Sequence, residues 1–444
     1  MSEAKGSKKS QLSNAHYKVA ANDDLLAAVD LSLRQMPYCY GFAPDSWRTM
    51  TAVELEKTPG NCLVTKLRTI VLMASMFNTN NKKIGRDSMG QAKSLDLLPP
   101  DQGGNRKDHR SNEQGPNKAL ALDLLRQRRQ AGALCCNDAK LCFDCIVHAI
   151  AILCMMRLGM LLAPLVSMFK VLQGAIYKIR TAYGDSTKSC RSPFWLIPFQ
   201  GVGQGNGAGP AIWVAISAPI IQMLYTAGFG LTFTTALSGT LVAIACFAFV
   251  DDTDVIHSRA DVNTPGKTIA TKMQEVMNTW EGGIRATGGA LNPSKSYWYM
   301  IDFKWVPDKL RWDYKTVSEV TGKIQVRNPQ QELETLERLE VDDPRVTLGI
   351  NIAPDGSWSG QVAYLLKKVI KWVSRLKSGH LNQVDTWYAL TRTIMKTLEY
   401  PMVAISLTKA QWGLIMSPLL QAVLPRIGLS RRFPHKVIYA PLSC

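Results

Sequence analysis

Polar and hydrophobic residues are segregated along this chain, and one long stretch carries no charge. Between residues 192 and 250 there is no Asp, Glu, Lys, Arg or His. The end of that stretch, residues 241–250, is short, apolar and partly β-branched, which predicts a buried strand. Asp251, Asp252 and Asp254 follow it immediately.

Helical patterns stand elsewhere in the chain. Residues 23–36 have the period of an amphipathic helix, and residues 364–424 carry helical periodicity again. Further helices are predicted after Asp144 and after Pro210. Residues 1–21 are polar and rich in Lys and Ser, which predicts a disordered, basic N-terminus.

The pair Asp251–Asp252 stands at the tip of the predicted strand. Adjacent carboxylates repel each other and lose favourable hydration when they are buried. A divalent cation with oxygen ligands relieves both effects, which predicts a metal site. Taken alone, the pair is also compatible with a solvated turn after a core strand.

A second acidic cluster strengthens the metal hypothesis. Asp138 ends another short apolar segment, and Asp144 follows at the start of a helical stretch. Carboxylates at the ends of neighbouring strands are how metal-dependent phosphoryl-transfer enzymes hold two Mg²⁺ ions roughly 3.5–4 Å apart. Only a folded core would bring these two clusters together.

A glycine-rich segment, residues 198–213, lies between the clusters. Its glycines permit close approach of the backbone to a ligand, and Pro210 stands where a helix can begin. The segment matches neither the Walker pattern nor the dinucleotide fingerprint, so it is weak evidence for phosphate binding by itself.

In order and spacing, these segments resemble the palm of reverse transcriptases, specifically those of non-LTR retrotransposons. The resemblance covers the chain from about residue 47 onward, with Gly209 in place of the usual Ser and Phe249 in place of the usual Tyr. The similar segments are residues 138–144, 201–210, 249–252, 288–296 and 346–350, with basic finger segments at 66–70 and 101–107.

The resemblance implies an RNA-directed DNA polymerase with an α+β, right-hand fold. It implies two Mg²⁺ ions, with Mn²⁺ able to substitute, and dNTPs as substrates. By the resemblance, Asp138, Asp251 and Asp252 would bind the metals and act in catalysis, and Lys295 would aid the departure of pyrophosphate. Arg68 and Arg106 would bind phosphate, and Phe143 would exclude a ribose hydroxyl. Gln204 and Gly205 would line the nucleotide pocket.

The resemblance also divides the chain. Residues 22–130 are expected to form an N-terminal segment and fingers. Residues 131–352 would form a palm with an antiparallel sheet, packed helices and a strand-rich insertion at 296–345. Residues 353–444 would form a helical thumb and a C-terminal tail.

Charge agrees with a polyanionic partner. The formal net charge is +17 and the isoelectric point is near 9.4. Basic residues concentrate in residues 65–130 and 361–444, on either side of the acidic centre, which suits an RNA template and a DNA primer gripped from two sides. A solvated basic surface is the alternative interpretation of charge alone.

Two other functions stay open at this stage. A catalytically inactive nucleic-acid-binding relic of a retroelement would keep the fold, and an RNA-directed RNA polymerase would share the palm. The aromatic ring of Phe143 argues against the RNA polymerase, since it would exclude the ribose hydroxyl.

Membrane, zinc and secretory functions are disfavoured. The apolar runs at 146–172 and 210–250 are interrupted by charged residues or glycines, so we expect core elements and no membrane partner. The set Cys142, Cys145 and His148 has no second Cys/His pair at zinc-finger spacing. The polar N-terminus indicates an intracellular protein, nuclear or cytoplasmic and not secreted.

Overall fold

The computed structural model describes residues 14–140, 143–192 and 198–434, apart from the side chains of Asn14 and Thr65. From the N-terminus to residue 128 the elements are α1 (Asn14–Ala20), α2 (Asp24–Tyr40), α3 (Asp45–Arg48), β1 (Thr49–Glu56), β2 (Leu67–Leu72), α4 (Ser75–Ser94) and α5 (Gln114–Arg128).

The middle of the chain alternates strands and helices. Its elements are β3 (Gly132–Asn137), β4 (Ala139–Lys140), α6 (His148–Arg157), α7 (Leu162–Gln173), β5 (Ile176–Thr181), β6 (Gly184–Asp185), β7 (Cys190–Arg191), α8 (Gly209–Thr226), β8 (Leu231–Thr234), β9 (Leu241–Ile244), β10 (Cys246–Phe249) and β11 (Asp252–Ser258).

The last part passes from strands to helices. Its elements are α9 (Gly266–Ala286), β12 (Ala290–Leu291), β13 (Tyr297–Ile301), β14 (Phe303–Val306), β15 (Arg311–Tyr314), β16 (Gln325–Arg327), β17 (Leu333–Thr335), β18 (Glu337–Leu339), β19 (Arg345–Thr347), β20 (Ile350–Ile352), α10 (Ser359–Ser378), α11 (Gln383–Ala389), α12 (Met395–Glu399) and α13 (Lys409–Val423).

The central sheet has the strand order β10-β11-β3-β13-β18, antiparallel except for the last pair. Side chains alternate between its faces, as the pleat of a strand requires. Ala133 and Cys135 of β3 pack into a core built with α8 and α9, while Leu134 and Cys136 face a second core that includes α5 and β20. Because both faces are covered, β3 is buried along its whole length.

The predicted fold class is confirmed. The fold is α+β, with an antiparallel sheet backed by helices and a helical C-terminal region, as expected of a right-hand polymerase. In that C-terminal region α10 packs on α13 around a third core, which contains Leu365, Val369 and Val373 of α10.

A second sheet crosses the predicted division at residue 130. β1 pairs with β2 and, in parallel, with β5, and β5 also pairs with β6 and β7. Residues 176–191, assigned to the palm from sequence, therefore belong to the same sheet as the strands of the expected fingers. Likewise β13, placed in the 296–345 insertion, is an integral strand of the central sheet.

Two local predictions differ from the structure. The strand expected over 241–250 is split into β9 and β10 at Ala245, whose N–H donates to Asp101 Oδ1 at 3.3 Å. Helix α1 occupies Asn14–Ala20, inside the segment expected to be disordered, and residues 1–13 of that segment lie outside the described residues. The predicted amphipathic helix is present as α2, capped by Asp23, which accepts from the Leu26 N–H at 2.9 Å.

Within the described residues, one helix is long and apolar enough to cross a membrane, namely α8. Two thirds of it is buried in the protein, where it packs against α4, α6 and α9. The core helices of soluble proteins pass the same test, and burial explains the apolar composition of α8.

Candidate active site

The carboxylates predicted to bind metal lie at one end of the central sheet. β10 and β11 form a hairpin in which Phe249 pairs with Asp252, so Val250 and Asp251 form its turn. β11 then pairs with β3, with Thr253 opposite Asn137. Since Asp138 directly follows β3, this register brings it beside Asp252 although the two are far apart in sequence.

Asp138 and Asp252 line one cavity of about 150 Å³ together with Lys295. Asp138 Oδ2 accepts a hydrogen bond from Asn292 Nδ2 at 3.0 Å and lies 3.5 Å from Lys295 Nζ. The Asp138 N–H donates to Ser296 Oγ at 3.1 Å. The turn that joins β12 to β13 therefore orients this carboxylate.

The carboxylates act on one another electrostatically. Burial, followed by the charges of Asp251, Asp254 and Asp138, raises the pKa of Asp252 to about 6. A carboxyl group whose charge is disfavoured in this way gains most from a cation placed beside it. The end of the sheet is thus a place where negative charge is concentrated.

Asp254 is already neutralised by the protein. It is buried, and its Oδ2 accepts from Lys118 Nζ at 2.8 Å and from Thr347 Oγ1 at 3.3 Å. Burial lowers the pKa of Lys118, but the negative charge of Asp254 outweighs that effect and the pKa is raised. Asp254 is therefore a structural partner of Lys118, which leaves Asp138, Asp251 and Asp252 as candidate metal ligands.

The donor set suits Mg²⁺ only in part. Among the described residues, no three or more His, Cys, Asp or Glu side chains are grouped so as to hold a metal ion. Mg²⁺ is nevertheless commonly bound through one or two carboxylates, with substrate phosphates and water completing its octahedral shell. Asp138 and Asp252, which share a cavity, provide carboxylate oxygens of that kind.

A second cavity, of about 340 Å³, lies on the other side of the hairpin turn. It is lined by Arg68, Phe143, Gln204, Gly205 and Asp251. The structure thus gathers four of the predicted substrate-binding residues around one carboxylate. Asp251 lines this cavity, and its neighbour Asp252 lines the cavity that contains Asp138, so the two cavities adjoin at this pair of residues.

The glycine-rich loop is held against the second sheet and α4. Gln204 O accepts from the Val71 N–H at 2.7 Å, and a Cβ added at Gly205 would stand 2.5 Å from Val71 O. Asn78 Nδ2 donates to Gly205 O at 2.9 Å, while Asn78 Oδ1 accepts from the Gly207 N–H at 2.6 Å. Glycine is required at position 205, where φ is +117° and the neighbouring backbone is in contact.

Phe143 closes one side of this cavity and is half-buried. A Cβ added at Gly209 would lie 3.7 Å from the Phe143 ring. The centroids of the Phe143 and Trp213 rings are 6.2 Å apart. The glycine that departs from the family pattern therefore sits directly against the predicted sugar gate.

Arg106 is not brought to this cavity. Its Nη1 donates to Pro99 O at 3.1 Å and to Gln102 O at 3.2 Å, so the guanidinium closes its own loop. Burial lowers the pKa of Arg106. Of the two arginines predicted to bind phosphate, Arg68 alone lines the cavity.

The structure gives no support to a zinc site at the predicted set of residues. Cys142 lies outside the described residues. His148 is buried with its Nε2 2.6 Å from Gly201 O, and burial lowers the pKa of His148 to about 4. Its environment is that of a neutral core histidine.

Three residues near the site were missed by sequence reasoning. Lys118, Asn292 and Gln102 contact Asp254, Asp138 and Val250 respectively. Asn292 and Gln102 lay within segments already singled out, residues 288–296 and 101–107, but neither was assigned a role there. Lys118 belonged only to the basic stretch of residues 65–130, and no local pattern marks its contact with Asp254.

No family model matches this sequence, and no curated protein matches it. Among solved structures, the chain is similar to apo telomerase from Candida tropicalis, at 11% identity and a TM-score of 0.40, over 87% of this chain and 63% of that one. It is also similar to C. tropicalis apo telomerase truncated of its C-terminal domain, at 12% identity and a TM-score of 0.38, over 65% and 55%.

Telomerase from Candida albicans, in complex with a fragment of telomeric RNA, is similar at 9% identity and a TM-score of 0.39, over 94% of this chain and 63% of that one. The chain spans less than two thirds of the length of each of these three proteins. A likeness this slight carries no argument about activity.

Proposed function

We propose that the chain is a reverse transcriptase, a nucleotidyltransferase that extends a primer 3′-hydroxyl with dNTPs on an RNA template, from a retrotransposon-like element. The observation that carries the proposal is the position of the adjacent residues Asp251 and Asp252 between two cavities. One carboxylate faces a cavity shared with Asp138 and Lys295, and the other faces a cavity lined by Arg68 and the glycine-rich loop. An intracellular location, nuclear or cytoplasmic, is part of the same proposal.

Each residue has a chemical task in this scheme. Two Mg²⁺ ions, or Mn²⁺ in their place, would activate the 3′-hydroxyl and neutralise the triphosphate. Asp138, Asp251 and Asp252 would hold them. Arg68, whose guanidinium suits phosphate oxygens, would orient the triphosphate in the larger cavity. Lys295 would supply positive charge near Asp138 as pyrophosphate departs.

The primer–template is proposed to lie in a groove between the β19–β20 turn and the helical region. This groove is lined by Leu348 and Gly349 of the turn and by Lys368, Arg392 and Lys396 of the helices. Lys396 also pairs with Glu399 at 2.6 Å, so the net positive charge of the groove comes from Lys368 and Arg392. These two cations suit a phosphate backbone read without regard to sequence.

The other candidates share much of this geometry. The Phe143 ring lines the second cavity, where the nucleotide is proposed to bind, and it would favour deoxyribose. This preference disfavours an RNA-directed RNA polymerase. An inactive relic would keep the groove and bind primer–template without incorporating nucleotides.

Primer extension on poly(rA)/oligo(dT) with Mg²⁺ or Mn²⁺ tests the proposal. Asp251→Asn preserves shape but removes a charge that the cations need, so extension should fall by orders of magnitude while the protein stays folded. The matched control is Asp308→Asn, which changes an exposed acid outside both cavities and should leave extension unchanged.

Three outcomes discriminate among the candidates. Extension by the wild type that is abolished in Asp251→Asn supports the proposal. Near-normal extension by Asp251→Asn refutes the metal assignment. Binding without incorporation identifies the relic, and incorporation of ribonucleotides in preference to dNTPs identifies the RNA polymerase.

A further inference from the structure

Val250, the residue before Asp251, has an unusual backbone conformation. Its φ is +59°, in the left-handed region. A β-branched side chain at positive φ is a genuine outlier, because its Cβ substituents crowd the backbone. Such a conformation persists only where surrounding contacts impose it.

The contacts that impose it come from two buried side chains. Gln102 Oε1 accepts from the Val250 N–H at 2.9 Å, and Gln102 Nε2 donates to Val250 O at 3.1 Å. Trp213 Nε1 donates to the same carbonyl at 2.6 Å. The N–H and the C=O of Val250 are thus both held by side chains that are remote in sequence.

The orientation of the Gln102 amide follows from its partners. A backbone N–H only donates and a backbone C=O only accepts, so Oε1 must face the first and Nε2 the second. Nε2 also donates to Ser217 Oγ at 3.1 Å, and Oε1 also accepts from the Gly104 N–H at 2.9 Å. Both N–H donors and both oxygen lone pairs of this buried amide are therefore used.

The loop around Gln102 is itself fixed to the hairpin. The Gly103 N–H donates to Ala248 O at 2.9 Å, and the Ala248 N–H donates to Asp101 O at 3.1 Å. A Cβ at Gly104 would overlap the Val250 amide. Residues 101–104 therefore extend along β10 and end against the turn that carries Asp251.

We propose that Gln102 and Trp213 are positioning residues, which hold Val250 in its left-handed conformation and thereby set where the carboxylates of Asp251 and Asp252 lie. The link to metal binding rests on the proposed function. The link to the turn conformation does not, and it is tested separately.

Gln102→Leu removes both hydrogen bonds to Val250, together with those to Ser217 and Gly104, and leaves an apolar side chain of similar length. The amide hydrogen of Val250 should then exchange with solvent faster than in the wild type, measured at single-residue resolution on the full chain. The apparent Kd for Mn²⁺, measured by electron paramagnetic resonance of the free ion, should rise roughly 10–100-fold, as is usual when a residue that orients a metal ligand is changed.

Gln130→Leu is the matched control. Gln130 is also buried, and its Nε2 likewise donates to a serine hydroxyl and a backbone carbonyl, Ser258 Oγ at 2.8 Å and Arg259 O at 2.5 Å. It sits at the other end of β11. Its replacement should lower stability comparably while leaving Mn²⁺ affinity and Val250 exchange unchanged.

Two further variants separate positioning from general destabilisation. Val250→Asn places a residue that tolerates positive φ at the strained position, so it should restore Mn²⁺ affinity to Gln102→Leu. Trp213→Phe deletes one hydrogen bond and keeps a ring, so it should speed Val250 exchange even if Gln102→Leu does not fold.

The outcomes are distinguishable. Faster Val250 exchange with weaker Mn²⁺ binding, restored by Val250→Asn and absent in Gln130→Leu, supports the proposal. Unchanged exchange in folded Gln102→Leu or Trp213→Phe overturns it, as does an equal decrease of Mn²⁺ affinity in Gln130→Leu. If the wild type binds no Mn²⁺, the proposed function fails, and the exchange rates alone decide whether the two side chains fix the turn.

Discussion

At the scale of single residues, the proposed chemistry depends on side chains at the ends of strands. Asp138 follows β3, and Asp252 begins β11, so each carboxylate is fixed by a buried strand but points beyond it. Phe143 has a different kind of constraint, because its ring rests against Gly209 and near Trp213 in the second cavity.

Phe143 should decide which sugar is accepted. A ribose 2′-hydroxyl against the ring would meet carbon in place of a hydrogen-bond partner, so discrimination of roughly 10–200-fold is expected. Phe143→Val should raise kcat/KM for ribonucleotides far more than it lowers kcat/KM for deoxynucleotides. The comparison is single-nucleotide incorporation with matched dNTP and rNTP.

The control for this prediction is Phe77→Val. Phe77 is fully buried in the main core, and it does not line the second cavity, so its truncation should reduce stability without changing the ratio of the two substrates. A ratio that stays at the wild-type value in folded Phe143→Val would refute the gate.

At the scale of elements, α10 shows how one helix serves two surfaces. Leu365, Val369 and Val373 form its buried stripe, while Lys368, Lys371 and Arg375 recur at spacings of three and four on another side. All three cations are exposed, and Lys368 lines the groove beside the β19–β20 turn. This helix thus packs the C-terminal region and offers charge to a ligand.

Replacing Lys368, Lys371 and Arg375 together with Gln should weaken primer–template binding at all sequences. The slope of log K against log[salt] should flatten by up to about 0.9 for each phosphate that the protein no longer neutralises. Fluorescence anisotropy across a salt series measures this slope.

Replacing three basic residues on another part of the protein provides the control for the α10 variant. Lys304, Lys309 and Arg311 belong to the β14–β15 hairpin region, at the end of the central sheet away from the carboxylates. Their replacement with Gln should leave the slope alone. An unaltered slope in the α10 variant would mean that its basic side is merely solvated.

At the scale of the whole molecule, one buried cluster joins three distant parts of the chain. Lys118 of α5 contacts Asp254 of β11 and Thr347 of β19, with Nζ 2.8 Å from an oxygen of each. The cluster lies under the acidic cavity, which Asp254 and Thr347 also line. It ties α5, the β10–β11 hairpin and the β19–β20 turn into one core.

Lys118→Met should destabilise the whole protein, because it leaves the Asp254 carboxylate buried without a cation. Removing one partner of such a pair typically costs about 3–5 kcal/mol. The free energy of unfolding, from urea titration with circular dichroism, measures this destabilisation. Lys118→Met combined with Asp254→Asn should recover part of it.

An exposed ion pair gives the contrast. Lys83 and Asp87 form a surface pair on α4 at 2.7 Å, and Lys83→Met should cost no more than about 1 kcal/mol. If Lys118→Met were as mild as Lys83→Met, the buried pair would not be the link between these three parts.

Local patterns in the sequence determined a large share of this protein. The apolar run before Asp251 marked a core strand, Pro210 marked the start of α8, and the periodicity of residues 364–424 marked the helices of the C-terminal region. The family resemblance predicted that Asp138, Asp251, Arg68, Phe143 and Gln204 belong to one site. The structure places the last four around one cavity and Asp138 in the cavity beside it. These features depend on neighbours in the chain or on motif order.

The tertiary structure decided what such patterns do not encode. The register of β11 on β3 set Asp252 beside Asp138, and the pairing of β5 with β1 placed residues 176–191 in the second sheet. The expected strand is interrupted at Ala245, whose N–H donates to Asp101. Gln102 and Lys118 acquired importance, and Arg106 proved to close its own loop, through hydrogen bonds that no local pattern marks. Such hydrogen bonds form when buried polar groups find partners as the cores pack. They therefore depend on the packing of the whole chain.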